Sequence, residues 1–246
     1  MDESPLDLLA IAPHPDDAEL LCGGALTKSA AIGRRVGILD LTRGETGTKG
    51  TPDIRASEAA AAAKVLGVAV RENAGLPDAG LLNTNPMRAR LVAAIRRLRP
   101  RVVSLPFLTG RHPDHRVAAE LGRDACFLSG LANYGDESLR HLPPHRPVKV
   151  VHALAFREDP VKPTFVVGLD EEEFGRKLKA IRCYVSQFEG ATKAGELFPT
   201  GQPLLDLIES QGRHYGSLVR KPYGEPFWTP ETLEVDDISS LGVFSL

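Results

Sequence analysis

Residues 6–33 read LDLLAIAPHPDDAELLCGGALTKSAAIG, and this stretch contains the two kinds of segment from which the rest of the chain is built. Residues 6–12 form a short apolar run, which predicts a buried strand. Residues 18–32 carry apolar side chains at helical spacing, and Gly33 follows them as glycine often follows a helix. The polar sequence His14-Pro15-Asp16-Asp17 lies between the two segments. The stretch therefore predicts a strand, a polar turn and a helix.

The same alternation continues along the chain. Further strands are predicted at 35–41, 68–73, 101–106, 148–156 and 164–169. Further helices are predicted at 54–66, 86–98, 113–128, 171–188 and 204–218. Such an alternation predicts an α/β fold, with a Rossmann-like, mostly parallel sheet and helices on both faces. We expect one domain over residues 1–246, in which the irregular segments 130–147 and 190–203 form long surface loops.

Composition narrows the class of protein. Hydrophobic residues make up 42% of the chain and charged residues 25%, as in ordinary globular proteins. The formal net charge of −2 provides no basic excess for binding nucleic acid or an anionic membrane. No apolar run approaches the roughly 18 residues of a membrane span, and acidic residues stand where a secretory signal carries basic ones. We therefore expect a cytoplasmic protein without nucleic-acid or membrane partners.

Two histidine motifs carry the candidate chemistry: His14-Pro15-Asp16-Asp17 and His112-Pro113-Asp114-His115. Proline favours the first turn of a helix and pushes the preceding residue towards extended geometry, so each motif is expected at a strand-to-helix junction. Both junctions then lie at the carboxyl edge of the sheet, where α/β proteins bind ligands. A helix N-terminus favours carboxylates and neutral imidazole, the forms that bind metal.

These motifs admit two interpretations. Each tetrapeptide alone could simply cap a helix, whereas the pair, each after a buried strand, favours a metal site. Two histidines and one aspartate would leave a coordination position open for water, as in catalytic zinc sites. The same donors accept Fe²⁺, Co²⁺ or Mn²⁺, so the residues alone do not identify the ion. Glu19, one turn into the first helix, is either an outer partner of this site or a surface carboxylate.

Three segments carry a family resemblance: LLAIAPHPDDAELLCGGAL (8–26), LTRGETGTKGTPDIRASEAAAAAKVLGV (41–68) and RHPDH (111–115). Three blocks extend it towards the C-terminus: KLKAIRCYVSQF, IESQGRHYGSLV and YGEPF. With these segments the sequence resembles the LmbE-like (PIG-L) de-N-acetylases, which are zinc-dependent hydrolases. The family includes the deacetylases of GlcNAc-phosphatidylinositol and of mycothiol and bacillithiol biosynthesis. The likeness is closest to the bacillithiol branch, whose enzyme deacetylates N-acetylglucosaminyl malate.

The resemblance implies a metal-binding role for part of each motif. His14, Asp17 and His115 match the ligands of one zinc ion per chain. Pro13 and Leu21 depart from the family pattern, in which alanine and glycine are usual, but neither position is a ligand.

The resemblance also implies the catalytic residues. Asp16 matches the general base that accepts a proton from the attacking water. His112 matches the residue that, when protonated, stabilises the oxyanion and serves the leaving amine. Asp114 matches the partner that orients His112.

Substrate binding is expected to involve cationic side chains. Arg55 matches a family arginine that binds substrate near the zinc. Because malate is anionic, Lys49, Arg111 and Arg213 are further candidates. The glycine- and threonine-rich segment 43–51 is either a mobile loop over the site or a plain connection.

These observations predict an enzyme that hydrolyses the N-acetyl group of a small GlcNAc conjugate, with N-acetylglucosaminyl malate as the expected substrate. One alternative is a deacetylase of another GlcNAc conjugate, such as an inositol glycoside or a chitooligosaccharide. Another is a non-catalytic protein that binds a metal or a sugar. By resemblance alone, we expect a homo-oligomer.

Overall fold

The structure is a computed structural model of the 246-residue chain, and it describes residues 4–154, 161–188, 204–240 and 242. The strands are β1 Leu8–Ala12, β2 Val36–Thr42, β3 Val70–Leu76, β4 Val102–Pro106, β5 Lys149–Ala153, β6 Phe165–Leu169 and β7 Tyr223–Trp228. The helices are α1 Asp17–Ala31, α2 Pro52–Leu66, α3 Asn85–Leu98, α4 Pro113–Leu128, α5 Glu137–Arg140, α6 Glu171–Ile181, α7 Val185–Phe188 and α8 Leu204–Leu218. A short 3-10 helix, Ile238–Ser240, follows β7.

All seven strands belong to one sheet, in the order β3-β2-β1-β4-β5-β7-β6. The first five are parallel, and β7 runs antiparallel to both of its neighbours. This sheet confirms the expected mostly parallel α/β fold. Sequence order reverses at β1, which has β2 on one side and β4 on the other, and such a switch point creates a crevice at the carboxyl ends of the strands.

Helices cover both faces of the sheet, as the alternating pattern predicts. Side chains of β1 alternate between two apolar clusters: Leu9 and Ile11 pack with α3 and α4, whereas Ala10 and Ala12 pack with α1, α2 and the end of α6. None of the helices in the described ranges is both long and apolar enough to cross a membrane.

Helix α1 contains a break in its middle. Cys22 has φ −144° and ψ 22°, which interrupts the helical hydrogen bonds. The Glu225 carboxylate of β7 accepts the backbone N–H groups of Gly24 at 2.9 Å and Ala25 at 2.6 Å, so it caps the second half of the helix. A Cβ on Gly24 would lie 2.2 Å from the Leu169 side chain, which explains a glycine inside this helix by close packing against the sheet.

The structure differs from the sequence prediction in three described regions. Strand β7 was not predicted, because its sequence YGEPFW contains the strand-weakening residues glycine and proline. The helix expected at 171–188 is divided into α6 and α7. The expected loop 130–147 contains α5, whose Leu139 belongs to the core. The expected loop 190–203 lies outside the described residues.

Segment 130–147 is held by a buried arginine rather than lying free on the surface. Arg96 of α3 is 1% exposed, and its guanidinium donates to three backbone carbonyls, those of Ser129 at 3.1 Å, Leu131 at 2.6 Å and Leu139 at 2.8 Å. These bonds give the segment a structural role.

Candidate metal centre

The two histidine motifs meet at the carboxyl edge of the sheet. His14 follows β1, and His112 is the N-cap of α4, whose first residue is Pro113. Because β1 and β4 are neighbouring parallel strands, the two imidazole rings come together, with their centroids 4.8 Å apart. The predicted strand-to-helix junctions therefore build one site.

The three expected metal ligands converge in this site. His14 Nδ1 lies 3.0 Å from Asp17 Oδ2, and His115 Nε2 lies 3.2 Å from Asp17 Oδ1. Candidate ligand atoms of all three residues lie within 4.8 Å of one another. Two imidazoles and a carboxylate at these spacings fit a divalent ion, whose bonds to such donors are about 2.0–2.2 Å long.

Electrostatic contacts between these residues outweigh the effect of their burial. Burial lowers the pKa of His14, but the hydrogen bond and charge of Asp17, with the charges of Asp78 and Asp16, raise it to about 9. Burial raises the pKa of Asp17, but His115 and His14 hold it well below its usual range. Asp17 is therefore ionised at neutral pH, which is the form that binds a metal.

His112 and Asp114 form a second group with His14, and its candidate ligand atoms also lie within 4.8 Å of one another. The backbone N–H of Asp114 donates to His112 Nδ1 at 3.2 Å. The Asp114 carboxylate lies 3.3 Å from His14 Nε2 and accepts the Ala79 N–H at 2.8 Å. We expected this carboxylate to orient His112, and its contacts differ from that expectation. Burial, with the charges of His14 and His115, lowers the pKa of His112 although Asp114 opposes this.

Asp16, the expected base, is the N-cap of α1 and has φ 114°, a backbone conformation that costs a non-glycine residue strain. Arg55 of α2 is 5% exposed and holds this turn. Its Nη2 lies 3.1 Å from Asp16 Oδ2 and donates to the Pro15 carbonyl at 2.5 Å. Burial and the charge of Asp17 raise the pKa of Asp16 well above its usual range, although Arg55 opposes them. Arg55 Nε has no hydrogen-bond partner within the described ranges.

A buried ionic cluster supports α1 beneath the site. Glu19 is fully buried, so it is not a surface carboxylate. Its Oε1 accepts from Arg71 Nη1 at 2.5 Å and from the Tyr184 hydroxyl at 3.1 Å. Arg71 also donates two hydrogen bonds to Asp40, at 2.8 and 2.9 Å. The cluster ties the helix that carries Asp17 to β2 and β3.

Sequence reasoning missed Asp78, which follows β3. Its Oδ1 lies 3.0 Å from His14 Nε2, and its Oδ2 accepts the Thr46 N–H at 2.8 Å and the Thr46 hydroxyl at 2.6 Å. Burial raises the pKa of Asp78, but the bonds from Thr46 and the charge of His14 hold it below its usual range. A signal was available, because Asp78 is a polar residue just beyond a parallel strand, as are the histidine motifs.

The other expected substrate-binding cations have different settings. Lys49 is half-buried in the loop after β2, and its carbonyl accepts the Gln187 side chain at 2.8 Å. Arg111 is exposed and directly precedes His112. Arg213 of α8 pairs with Glu209 at 2.8 Å and lies over the Tyr223 ring at 4.8 Å. Those contacts of Arg213 are with α8 and β7, and the group around His14 is not among them.

The charges of the site also fit a cation. Four aspartates surround the imidazoles, and the contacts described above include one arginine: Asp16, Asp17, Asp78, Asp114 and Arg55. A divalent ion would offset the excess of negative charge. Two imidazoles and one carboxylate are a known donor set for catalytic zinc, and they also suit Fe²⁺, Co²⁺ or Mn²⁺.

Comparisons with known proteins agree with this geometry. The diacetylchitobiose deacetylase of Thermococcus kodakarensis is 33% identical over 229 residues, which cover 89% of this chain and 80% of that protein. A 1D-myo-inositol 2-acetamido-2-deoxy-α-D-glucopyranoside deacetylase of Catenulispora acidiphila is 30% identical over 180 residues, 59% of each chain.

The crystal structure of the conserved protein TT1542 from Thermus thermophilus superposes with a TM-score of 0.80 at 39% identity. That likeness covers 94% of this chain and 98% of the other. Residues 9–126, which contain both histidine motifs, match the PIG-L family, described as GlcNAc-PI de-N-acetylase. The chain therefore belongs to the PIG-L (LmbE-like) family of deacetylases.

Proposed function

We propose that this protein is a metal-dependent hydrolase that removes the N-acetyl group from a small GlcNAc conjugate. One observation carries the proposal: the candidate ligands His14, Asp17 and His115 converge beside the carboxylate of Asp16 at the carboxyl edge of the sheet. Family membership agrees with a deacetylase. A helix-capping role alone does not account for four aspartates gathered around three imidazoles.

The proposed chemistry divides between a metal and the chain. His14, Asp17 and His115 would hold zinc, which when bound polarises a carbonyl oxygen and lowers the pKa of water towards 7. Asp16 accepts the proton of the water that attacks the acetamide carbon. Arg55 holds the Asp16 carboxylate in place, because its guanidinium contacts both that carboxylate and the preceding Pro15 carbonyl. The C–N bond then breaks, acetate leaves, and the proton held on Asp16 is available to the departing amine.

His112 is the proposed hydrogen-bond donor to the carbonyl oxygen as negative charge develops there. Its Nδ1 accepts the Asp114 backbone N–H, so a neutral His112 carries its hydrogen on Nε2. That tautomer can donate without the full protonation that the sequence comparison implied. One such donor typically contributes about 3–4 kcal/mol to lowering the barrier.

N-Acetylglucosaminyl malate is the proposed substrate, and resemblance to the bacillithiol branch supports it. Lys49 and Arg111 are the proposed partners of its carboxylates, because Lys49 lies in the loop that precedes Arg55 and Arg111 adjoins His112. Diacetylchitobiose is a second candidate, because the likeness to a diacetylchitobiose deacetylase covers 89% of the chain.

Release of free amine tests the proposal. The zinc-loaded protein is incubated with N-acetylglucosaminyl malate, diacetylchitobiose and an N-acetylglucosaminyl inositol in parallel. We expect the malate conjugate to be hydrolysed fastest. Faster hydrolysis of diacetylchitobiose would reverse the choice of substrate, and no amine from any of the three would contradict the deacetylase itself.

Asp16→Asn is the matched control, because it keeps the size of the side chain and removes its basicity. We expect turnover to fall by about 10²- to 10⁴-fold, the usual contribution of a positioned base. Zinc content should stay at the wild-type level, since Asp16 is not in the proposed ligand set. Wild-type turnover in this variant would remove Asp16 from the mechanism.

A further inference from the structure

The two ring nitrogens of His14 face different carboxylates. Nδ1 lies 3.0 Å from Asp17 Oδ2, on the side of the proposed ligands. Nε2 lies 3.0 Å from Asp78 Oδ1 and 3.3 Å from Asp114 Oδ2. The ring is therefore held between a candidate ligand and two carboxylates from other parts of the sheet edge.

The second pair of contacts decides where the hydrogen of a neutral His14 lies. Ionised carboxylates accept hydrogen bonds and cannot donate them. A lone pair on Nε2 would face two acceptors, whereas an N–H there is attracted to both. Nε2 therefore carries the hydrogen, and Nδ1 presents its lone pair towards Asp17 and His115.

We infer that Asp78 is a positioning residue for the metal centre: together with Asp114 it fixes the tautomer and the ring orientation of His14, so that Nδ1 is the metal-binding atom. The inference rests on the proposed function, because it presupposes that His14, Asp17 and His115 bind the metal. Histidine ligands usually donate their other N–H to a carboxylate or carbonyl, and loss of that partner weakens metal binding.

Asp78 is itself firmly held, as a positioning residue must be. Its side chain is 5% exposed. Oδ2 is taken by the backbone N–H and hydroxyl of Thr46, which leaves Oδ1 for His14. The next residue, Ala79, has φ 56°, and its N–H lies 2.9 Å from Asp78 Oδ1 and 2.8 Å from Asp114 Oδ2. That shared donor keeps the two carboxylates side by side.

The arrangement also separates the two candidate ligand groups. In the group of His14, His112 and Asp114, the His14 atom nearest Asp114 is Nε2, which carries the hydrogen in this account. That group therefore cannot bind the metal without displacing the hydrogen from between two carboxylates. The group with Asp17 and His115 uses Nδ1 and keeps these hydrogen bonds.

Zinc affinity tests the inference without relying on activity. The dissociation constant for Zn²⁺ is measured by competition with a chromophoric chelator for wild type, Asp78→Ala and Asp78→Asn. We expect Asp78→Ala to raise it by about 10- to 100-fold. Asp78→Asn should raise it less, because the amide keeps an acceptor oxygen. The visible spectrum of the Co²⁺-loaded protein should also change in Asp78→Ala, since the spectrum reports ligand geometry.

Asp53→Asn is the control, because this exposed aspartate pairs with Arg43 at 2.6 Å near the same loop and does not contact His14. Its zinc affinity should equal that of wild type. Thermal unfolding of the metal-free proteins shows whether each variant is folded, and Asp78→Asn keeps the test valid if the alanine variant unfolds. Wild-type affinity in either folded Asp78 variant overturns the inference. A wild-type protein that binds no zinc overturns the proposed metal centre and this inference together.

Discussion

Helix α1 meets buried carboxylates at two places, its first turn and its central break, and the two places are built differently. At the break, the Glu225 carboxylate accepts the N–H groups of Gly24 and Ala25 and pairs with Lys177 at 2.6 Å. Glu225 and Lys177 are 2% and 4% exposed. One buried anion faces one buried cation and two backbone donors, so its hydrogen-bonding and charge requirements are met within the chain.

The first turn of α1 is not balanced in this way. Asp16 and Asp17 lie with Asp78 and Asp114 around His14, His112 and His115, and Arg55 is the cation that contacts them. Burying unbalanced negative charge is costly. The comparison teaches that charge balance, more than burial, separates a carboxylate that stabilises the fold from one that is ready for a ligand.

Removal of a proposed ligand should have the largest effect. We predict that His115→Ala loses its zinc and at least about 10³-fold of its activity, because carbonyl polarisation and water activation are each worth several kcal/mol. Zinc per chain is measured by elemental analysis beside amine release.

His112→Ala sharpens this prediction, because His112 is an equally close histidine that the ligand set excludes. It should keep one zinc per chain and lose about 10²- to 10³-fold in turnover, as expected for one lost donor to the developing oxyanion. Equal zinc contents in the two variants would contradict the division between ligand and donor.

At the break in α1, the expected effect is on stability. We predict that Glu225→Ala lowers the free energy of unfolding by about 3–5 kcal/mol, because it leaves a buried lysine unpaired. The N–H groups of Gly24 and Ala25 also lose their acceptor. Urea denaturation measures the change.

The double variant Glu225→Leu with Lys177→Met tests the cause of that loss. Without the unpaired charge, the double variant should be more stable than Glu225→Ala. It should bind one zinc per chain, since neither residue belongs to the metal centre. A double variant that is less stable than Glu225→Ala would show that charge pairing is not the cause.

The predictable part of this structure was local in sequence. The boundaries of α4 follow from Pro113 and the apolar spacing, and α3 begins beside Pro86 and ends before Pro100. The meeting of the two histidine motifs followed from one rule, that neighbouring parallel strands end at the same edge. Each of these inferences needed only a short segment and a general property of α/β sheets.

The unpredicted part depends on contacts between distant segments. Asp78 becomes important through a 3.0 Å contact with His14, and Glu19 through Arg71 and Tyr184. Strand β7 is a strand because it pairs with β5 and β6, despite its glycine and proline. The side-chain contacts of Asp114 likewise depend on where Ala79 lies, and that position is set by tertiary packing.

Arg213 should show the smallest effect, and it tests whether the balanced class extends to the surface. The arginine pairs with Glu209 one helical turn away and lies over the Tyr223 ring, so its charge is already partnered. Its side chain is 58% exposed, where an ion pair is screened by water. We therefore predict that Arg213→Ala leaves zinc content and kcat unchanged and alters KM for N-acetylglucosaminyl malate by less than about twofold. Steady-state kinetics with Lys49→Ala in parallel provide the comparison, because Lys49 lies in the loop proposed to bind the carboxylates. If KM rises more in Arg213→Ala than in Lys49→Ala, then Arg213 binds the substrate after all and its pairing with Glu209 must open during turnover.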